Sequence, residues 1–438
     1  MSMSAEPCSY EYWLGAREAK YSGSGVERSV RPATTIRRAT AVLDIIGVTK
    51  VADVTDLDRV GIPNFMTVRP HDRGPGISYY NGKGTTRAAA HAGALMEAIE
   101  RHAGERYDGP VIATSHYNLR SEHPCVDPLE IHVPMIRKYS EHLMLEWVKG
   151  FDLMARQPTF APLNCVVSPY DSDSGMALFH TSTNGLASGN SRVDAVCHGL
   201  CEVIERDATG LAMARADVRP AVAALLADIG FGGGISAEPG EAPLISLRGL
   251  PRPAAALVRK LQRAGLEVEL LDLTSATGIA TIACTIACTI VDRQGLPTGM
   301  NAHSGCGTHP DARIALTRAL TEAAQSRLTC IQGGREDLPD YVPAQRAAPV
   351  EAKHRRRDTI DFGDIPSYQH SSVNDDVEFI IERMRQSGFA QVVVVDITRK
   401  EVGIPVVRVI VPRSEVWTIY FAEGGRASPG PRALQQVG

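Results

Sequence analysis

Hydrophobic and polar positions along the chain switch between two periods. Helical spacing runs through PATTIRRATAVLDI, behind Thr34 and Thr35 as candidate N-caps and ahead of Gly47, which predicts a helix over 33–46. It returns from Thr85 to Glu105, from Ser191 to Ala214, over 254–264, over 311–330 and in NDDVEFIIERMRQ. Strand alternation marks two short segments in VADVTDLDRVGIPNFMTVRP on either side of the Gly61-Ile62-Pro63 break, and a hairpin in LEWVKGFDLMARQPTFAPLNCVV. EVELLDL, IATIACTIACTIVD, QVVVVD and PVVRVIVP read as further strands. Strands interleaved with helices predict an α/β or α+β fold.

Three polar segments stand just ahead of helices and read as loops: NGKGTT, HTSTNGLASGN and MNAHSGCGTHPDA. Residues 229–250 read as a surface insertion and 333–370 as a Pro- and Arg-rich connector. No linker divides the chain, so the expected organisation is an N-terminal extension over 1–24, one domain over 25–425 and a tail over 426–438.

The strongest internal signal is a repeat. Residues 84–103, GTTRAAAHAGALMEAIERHA, overlay 189–208, GNSRVDAVCHGLCEVIERDA, without a gap and coincide at nine of 20 positions. The helix DARIALTRALTEAAQSR follows the pattern more loosely, with Ala315, Leu320 and Glu322 in corresponding places. The chain thus carries E-x-x-E, E-x-x-E and E-x-x-Q in register. On a helix, residues three apart share a face, so Glu97/Glu100, Glu202/Glu205 and Glu322/Gln325 each form a claw one turn long.

A single such helix is usually a solvated amphipathic face. Recurrence on three helices weakens that reading, as do the apolar neighbours Leu95, Met96, Ile99, Leu200, Val203 and Ile204, which predict mostly buried helices. If five carboxylates converge, each pair about 4 Å apart repels by about 4 kcal/mol at an effective dielectric of 20, so cations must sit among them. Oxygen-only ligands favour Mg2+ or Ca2+ over zinc, and Mg2+ combines a few carboxylates with phosphates, which makes a nucleoside triphosphate the expected third party. The preceding segments fit an anion: NGKGTT offers Lys83 and glycine amides, and NGLASGNS offers Asn184 and Asn190. A strict P-loop is absent, because Lys83 is followed by Gly84. Arg206 and Arg318, on the same helices, can balance phosphate charge.

Composition narrows the classes. With 438 residues, 44% of them hydrophobic, a large core is available. Lys+Arg (46) nearly balance Asp+Glu (50), so no basic excess points to nucleic acid or anionic lipid. The most apolar run, GIATIACTIACTIV, is too short to span a membrane, and MSMSAEPCSYEYWLG is not patterned as a signal peptide, so a cytoplasmic protein is expected. The nine cysteines contain no C-x-x-C pair, and reduced thiols are expected. Cys197, Cys201 and Cys306 lie beside the proposed site and read as small buried hydrophobes, while His91, His102 and His198 assemble no zinc or nucleophile set.

NGKG followed by ALMEAIER, TNGLASGN followed by GLCEVIERDA, and HPDARIALTRALTEAAQSR together resemble the YcaO family, over roughly residues 25–425. The resemblance implies internally repeated helix and sheet halves around a central ATP and Mg2+ site, in an enzyme that phosphorylates a peptide backbone amide oxygen. It implies that Glu97, Glu100, Glu202, Glu205 and Glu322 bind metal, and that Lys83, Asn190, Arg206, Arg318 and Gln325 surround the nucleotide. Thr35 and Arg31 match the N-terminal nucleotide contacts, while Gly93 stands where the family often has Ser, so no contact is carried over there. VADVTDLDRVGIP, RVIVPRSE and PGPRA resemble the branch that forms thioamides with a TfuA partner, and the ending ASPGPRALQQVG lacks the P-x-P-x-P tail usual among azoline formers. The implied activity is thioamidation of a ribosomally made peptide or protein, with a TfuA-like partner and a homodimer. Azoline formation on Cys, Ser or Thr, and a non-catalytic peptide-recruiting scaffold, are the alternatives.

Overall fold

The computed structural model describes residues 9–23, 26–70, 77–131, 139–171, 175–179, 181–229, 240–288, 302–334, 358–416 and 432. In chain order, α1 (Tyr10–Leu14), β1 (Tyr21–Gly23), β2 (Val26–Arg28) and α2 (Pro32–Thr40) lead to β3 (Lys50–Asp53), β4 (Asn64–Val68), β5 (Tyr79–Lys83) and α3 (Arg87–Gly104). Next come β6 (Val111–Ser115), α4 (His116–Glu122), β7 (Met144–Asp152), β8 (Gln157–Pro162), β9 (Leu186–Ser188), α5 (Arg192–Met213) and α6 (Arg219–Asp228). Then follow β10 (Leu244–Ile245), α7 (Arg252–Arg263), β11 (Leu266–Asp272), β12 (Thr281–Cys288), β13 (Ala302–Thr308) and α8 (Ala312–Gln332). The described chain closes with β14 (Thr359–Ile360), α9 (Val373–Gln386), β15 (Val393–Asp396) and β16 (Val406–Ile410).

Each glutamate-bearing helix lies on a sheet of its own. α3 packs on β4 and β5 of the sheet β3-β4-β5, and α5 packs on β9 and β16 of the sheet β6-β7-β15-β16-β9, in which β8 also pairs with β7. α8 packs on β12 and β13 of the sheet β13-β12-β11-β10-β14. Apolar stripes hold these layers: Leu257, Leu261, Leu270, Ile282, Leu316 and Leu320 are buried between α7, α8 and their sheet. Leu200, Ile204, Val377, Ile380, Val394 and Val407 join α5 and α9 to β15 and β16. Burying each side chain of this size contributes roughly 1.5–3 kcal/mol. No described helix is long and apolar enough to cross a membrane.

The expected mixture of helices and strands is found, and the hairpin over 145–167 is β7 with β8. The three segments read as polar loops differ: the first holds the end of β5, and the other two contain β9 and β13. Glycine hides β5 and β13, because their helix-facing positions touch helix backbone and not apolar side chains, while β9, three residues of sequence LAS, is too short to show alternation. A Cβ on Gly82 would stand 2.0 Å from Ala94 N, and one on Gly305 would stand 2.2 Å from Ala323 N. Alternation of hydrophobic residues is therefore missing where packing is tightest.

The helix expected over 33–46 ends at Thr40. Turns carry the chain on to Gly47, in the left-handed region, and bury Ile46 while leaving Ile45 51% exposed, so burial overrides continued helical spacing. Within the insertion expected over 229–250, Leu244–Ile245 form β10, hydrogen-bonded inside the five-stranded sheet, and 230–239 lie outside the described residues. Within 333–370, β14 runs parallel to β10, and 335–357 lie outside the described residues. So do 289–301, which include the far part, 289–292, of the strand expected over 279–292. Of the N-terminal segment, α1 inserts Trp13, 1% exposed, into the core beside α5. Of the tail over 426–438, Arg432 alone is described.

Gly305→Ala forces β13 away from α8 and is expected to lower unfolding stability by at least about 1–3 kcal/mol in urea titration. Gly363→Ala, where an added Cβ meets nothing within 4 Å, is expected to stay within about 0.5 kcal/mol.

Candidate functional site

Local capping sets the geometry of the site. Thr86, Ser191 and Asp311 N-cap α3, α5 and α8, their side chains accepting from the amides of Ala89, Asp194 and Arg313. In each helix the first claw residue, Glu97, Glu202 or Glu322, stands eleven residues after the cap. That is about three turns, so each carboxylate projects on the same side as its cap. The three helices turn these sides toward one cavity of about 650 Å3, lined by Glu97, Glu100, Glu202, Glu205 and Glu322.

Of the other expected residues, Lys83, Asn190, Arg206, Arg318, Gln325 and Thr35 also line this cavity. Lys83, at the end of β5, pairs with Glu322. Thr35 donates to Asn190 Oδ1 at 3.1 Å, and Asn190 N donates to Asp194 Oδ2 at 3.0 Å. Gln325 Nε2 donates to the Asn81 carbonyl at 2.5 Å. Arg31 stands apart: it caps α2 through its backbone, is exposed, and holds its guanidinium 5.6 Å from the Tyr21 ring centroid. Asn184 also misses this cavity and lines a smaller one nearby.

Burial decides the charge state of the claws. It raises Glu100 well above the usual carboxylate range, with Glu97 and Glu202 adding to the shift, although Ser188 N and Oγ donate to Glu100 Oε2 at 2.8 and 3.2 Å. Burial lifts Glu202 to about 7 against the pull of Arg206, with Glu205 and Glu97 pushing the same way as burial. Glu205 is raised by burial and by the neighbouring Glu322. Glu322 goes the other way: burial pushes it up, but Lys83, Arg206 and Arg318 together outweigh that and hold it below its ordinary value. One end of the cavity is thus short of positive charge, and the other is balanced by it.

Arg101 takes part and was not among the expected site residues. It donates to Glu97 Oε1 at 2.9 Å, and Glu97 and Glu100 outweigh its burial to keep it firmly protonated. The repeat carried the signal, since Arg101 overlays Arg206. A second group joins Arg28 to Asp194 at 3.1 Å and to His198 Nδ1 at 3.2 Å, with Arg318 3.5 Å from His198 Nε2. Burial, then Arg28 and Arg318, hold His198 well below its usual pKa, so a neutral ring separates two cations in the cavity wall. Cys197 and Cys201 line the cavity, and the thiols of Cys197 and Cys306 are raised, Cys306 to about 12 by burial, so both are protonated at neutral pH.

The residues present fit a divalent cation with phosphate. The donors are carboxylate oxygens, and among the described residues no three carboxylate, imidazole or thiol groups close up into a metal cage by themselves. Mg2+ is commonly held by such an incomplete set and completed by phosphate oxygens. Glu205 Oε2 and Arg318 Nε are buried with no hydrogen-bond partner among the described residues, one suited to a cation and the other to an anion.

A family model described as YcaO cyclodehydratase, ATP- and Mg2+-binding, matches residues 81–415. An uncharacterised protein of Methanothermobacter thermautotrophicus is 38% identical to this chain, over 91% of it and 98% of its own length. An uncharacterised protein in the tfuA 3′ region of Rhizobium leguminosarum bv. trifolii is 30% identical over 92% of both. The structure of YcaO from Methanopyrus kandleri, bound with AMPPCP and Mg2+, is similar with a TM-score of 0.70 and 26% identity, over 93% of this chain and 96% of that one.

The Glu202 shift has a consequence for stability. Its folded pKa of about 7 lies above the unfolded value, so the folded chain holds this proton more tightly. The resulting stability is fully present below about pH 4.5 and is lost as pH rises through about 7. Without Mg2+ or nucleotide, Glu202→Gln is expected to match the wild type near pH 4.5. At pH 8 it should exceed the wild type by about 1–2 kcal/mol in urea titration; equal stability at pH 8 would contradict the assigned charge state.

Proposed function

Because this chain belongs to the YcaO family, we propose that it uses ATP and Mg2+ to activate a backbone amide of a ribosomally made peptide or protein, leading to a thioamide with the help of a TfuA-like partner. One observation carries the reading: five glutamates from three helices meet Lys83, Arg206 and Arg318 in a single cavity. An amide carbon is a poor electrophile because resonance ties its oxygen to the nitrogen. Mg-ATP, when bound, supplies the phosphoryl group that makes this oxygen a leaving group.

The chain's own task is then positioning and charge compensation. Glu97, Glu100, Glu202, Glu205 and Glu322 are assigned to the metal. Lys83, Arg206 and Arg318 are assigned to phosphate charge, and Asn190, Gln325 and Thr35 to the polar frame around the nucleotide. Arg101 is assigned a positioning role, holding Glu97 in its rotamer. The raised pKa values of Glu100 and Glu202 fit this reading, because an arriving cation favours the ionised forms and replaces bound protons.

The thioamide outcome and the TfuA-like partner draw support from the Rhizobium relative, which lies in a tfuA 3′ region. Azoline formation is the second reading, favoured by the family model's description as a cyclodehydratase. A homodimer and a cytoplasmic location complete the proposal.

The test combines the purified protein, a TfuA-like partner, candidate peptides, Mg-ATP and sulfide, with products read by mass spectrometry. Exchange of a carbonyl oxygen for sulfur is expected. Loss of one water from a Cys, Ser or Thr site would replace this reading with azoline formation, and an unmodified peptide without ADP release would favour the scaffold. Independently, wild-type protein at about 100 times the dissociation constant of Mg-ATP should gain roughly 2.7 kcal/mol of stability, visible in its thermal midpoint. Glu202→Gln should lose that gain while still melting cooperatively without nucleotide.

A further inference from the structure

A second cavity, of about 70 Å3, backs onto the wall of the large one. The segment 182–184 separates them: Thr183 lines the large cavity, while Ser182 and Asn184 line the small one with Cys165, Phe179 and Arg408. Arg408 sits on β16 opposite Leu186 of β9, the strand whose Ser188 holds Glu100.

Arg408 is 3% exposed. Its Nε donates to the Cys165 carbonyl at 2.7 Å and its Nη2 to the Ser182 carbonyl at 2.5 Å, but Nη1 has no hydrogen-bond partner among the described residues. The comparison with other deeply buried arginines is telling. Arg327 and Arg399, each 4% exposed, form ion pairs with Asp58 (at 3.0 Å) and Asp108 respectively, whereas no such pair is made by Arg408 with any described residue. Burial draws the Arg408 pKa down only to about 10, so the group is cationic at neutral pH. The Cys165 thiol cannot supply the counter-charge, because burial raises it to about 12. Glu130 lines the cavity without pairing with Arg408.

A purely structural arginine would be satisfied by its two carbonyl ties only if its charge and its remaining N–H groups were answered as well. Polar groups able to answer them already line the space. The Ser182 hydroxyl accepts from Asn184 N at 3.4 Å and keeps its own proton to donate. The Asn184 amide, whose Oδ1 is buried without a partner among the described residues, can turn to present its NH2 group.

We infer that this cavity binds a small inorganic monoanion, of the size and charge of a halide or hydrosulfide, against Arg408 Nη1, Ser182 and Asn184. The volume is too small to enclose a nucleotide or a peptide. A single charge is selected because Arg408 is the one cation among the described residues that line the cavity, and one guanidinium neutralises one negative charge. The inference does not rest on the amide-activation reading; if hydrosulfide is the occupant, it adds a waiting site for the nucleophile beside the reaction cavity.

Thermal midpoints of the full chain in sodium bromide, against equal sodium gluconate, test it. The wild type should show a saturable rise of roughly 2 °C at ten times the bromide dissociation constant. Arg408→Met should show none while keeping its Mg-ATP shift. Displacement of bromide by sodium hydrosulfide at lower concentration would identify a sulfur anion, and failure to displace it would identify a halide site; both support the inference. An equal rise in both proteins, or no rise in the wild type, overturns it. Should Arg408→Met not fold, bromide-soaked wild-type crystals decide: an anomalous peak beside Arg408 Nη1 supports the site, and its absence overturns it.

Discussion

Like-charge repulsion inside a shared cavity is the constraint on which the rest of this structure turns. Five carboxylates approach from three helices, and burial strips away the water that would screen them. The fold answers unevenly. Lys83, Arg206 and Arg318 hold Glu322 ionised, whereas Glu100 and Glu202 retain affinity for a proton. Such an arrangement is poised between protonation and metal binding, and it stores in the protein the electrostatic demand that a divalent cation and a polyphosphate jointly satisfy.

Rigid support has to hold that arrangement in place. Each claw helix is pressed onto its own sheet, with glycine at the contact so that strand and helix backbones meet directly. The buried Arg327–Asp58 pair ties α8 to the turn between β3 and β4, and Lys83 reaches Glu322 from β5. The first and third helix-sheet units are therefore fastened to each other twice, and the Lys83–Glu322 tie lies at the end of the cavity that carries the balanced charge.

Much of the site was legible in the sequence, because it is written as a repeat. The overlay of 84–103 with 189–208 identified four of the lining glutamates by position, and Glu322 followed from the weaker third copy. Arg101 was visible in the same overlay beside Arg206, yet a charged residue four positions after Glu97 on a helix also reads as an ordinary surface pair. What stayed hidden were the strands before the helices. In β5 and β13 the packing partner is helix backbone, so hydrophobic periodicity, which reports apolar side-chain burial, had nothing to register in Gly305 or Gly82, and β9 spans only three residues. Arg408 was hidden for the opposite reason: in PVVRVIVP it interrupts an apolar strand as a single charge, and only its three-dimensional surroundings show that no carboxylate among the described residues pairs with it.

The shared spacing from cap to claw makes each helix a ruler. A helix turns by about 100° per residue, so one residue added between Ser191 and Glu202 would swing that carboxylate by about that angle, away from the cavity. Point substitutions along the ruler change chemistry, but a change in its length changes aim. Insertions and deletions are therefore barred from the three intervals Thr86–Glu97, Ser191–Glu202 and Asp311–Glu322, each of which has the same length as the others. Variation in chain length has to be absorbed in the connections between the helix-sheet units, where no carboxylate depends on the count.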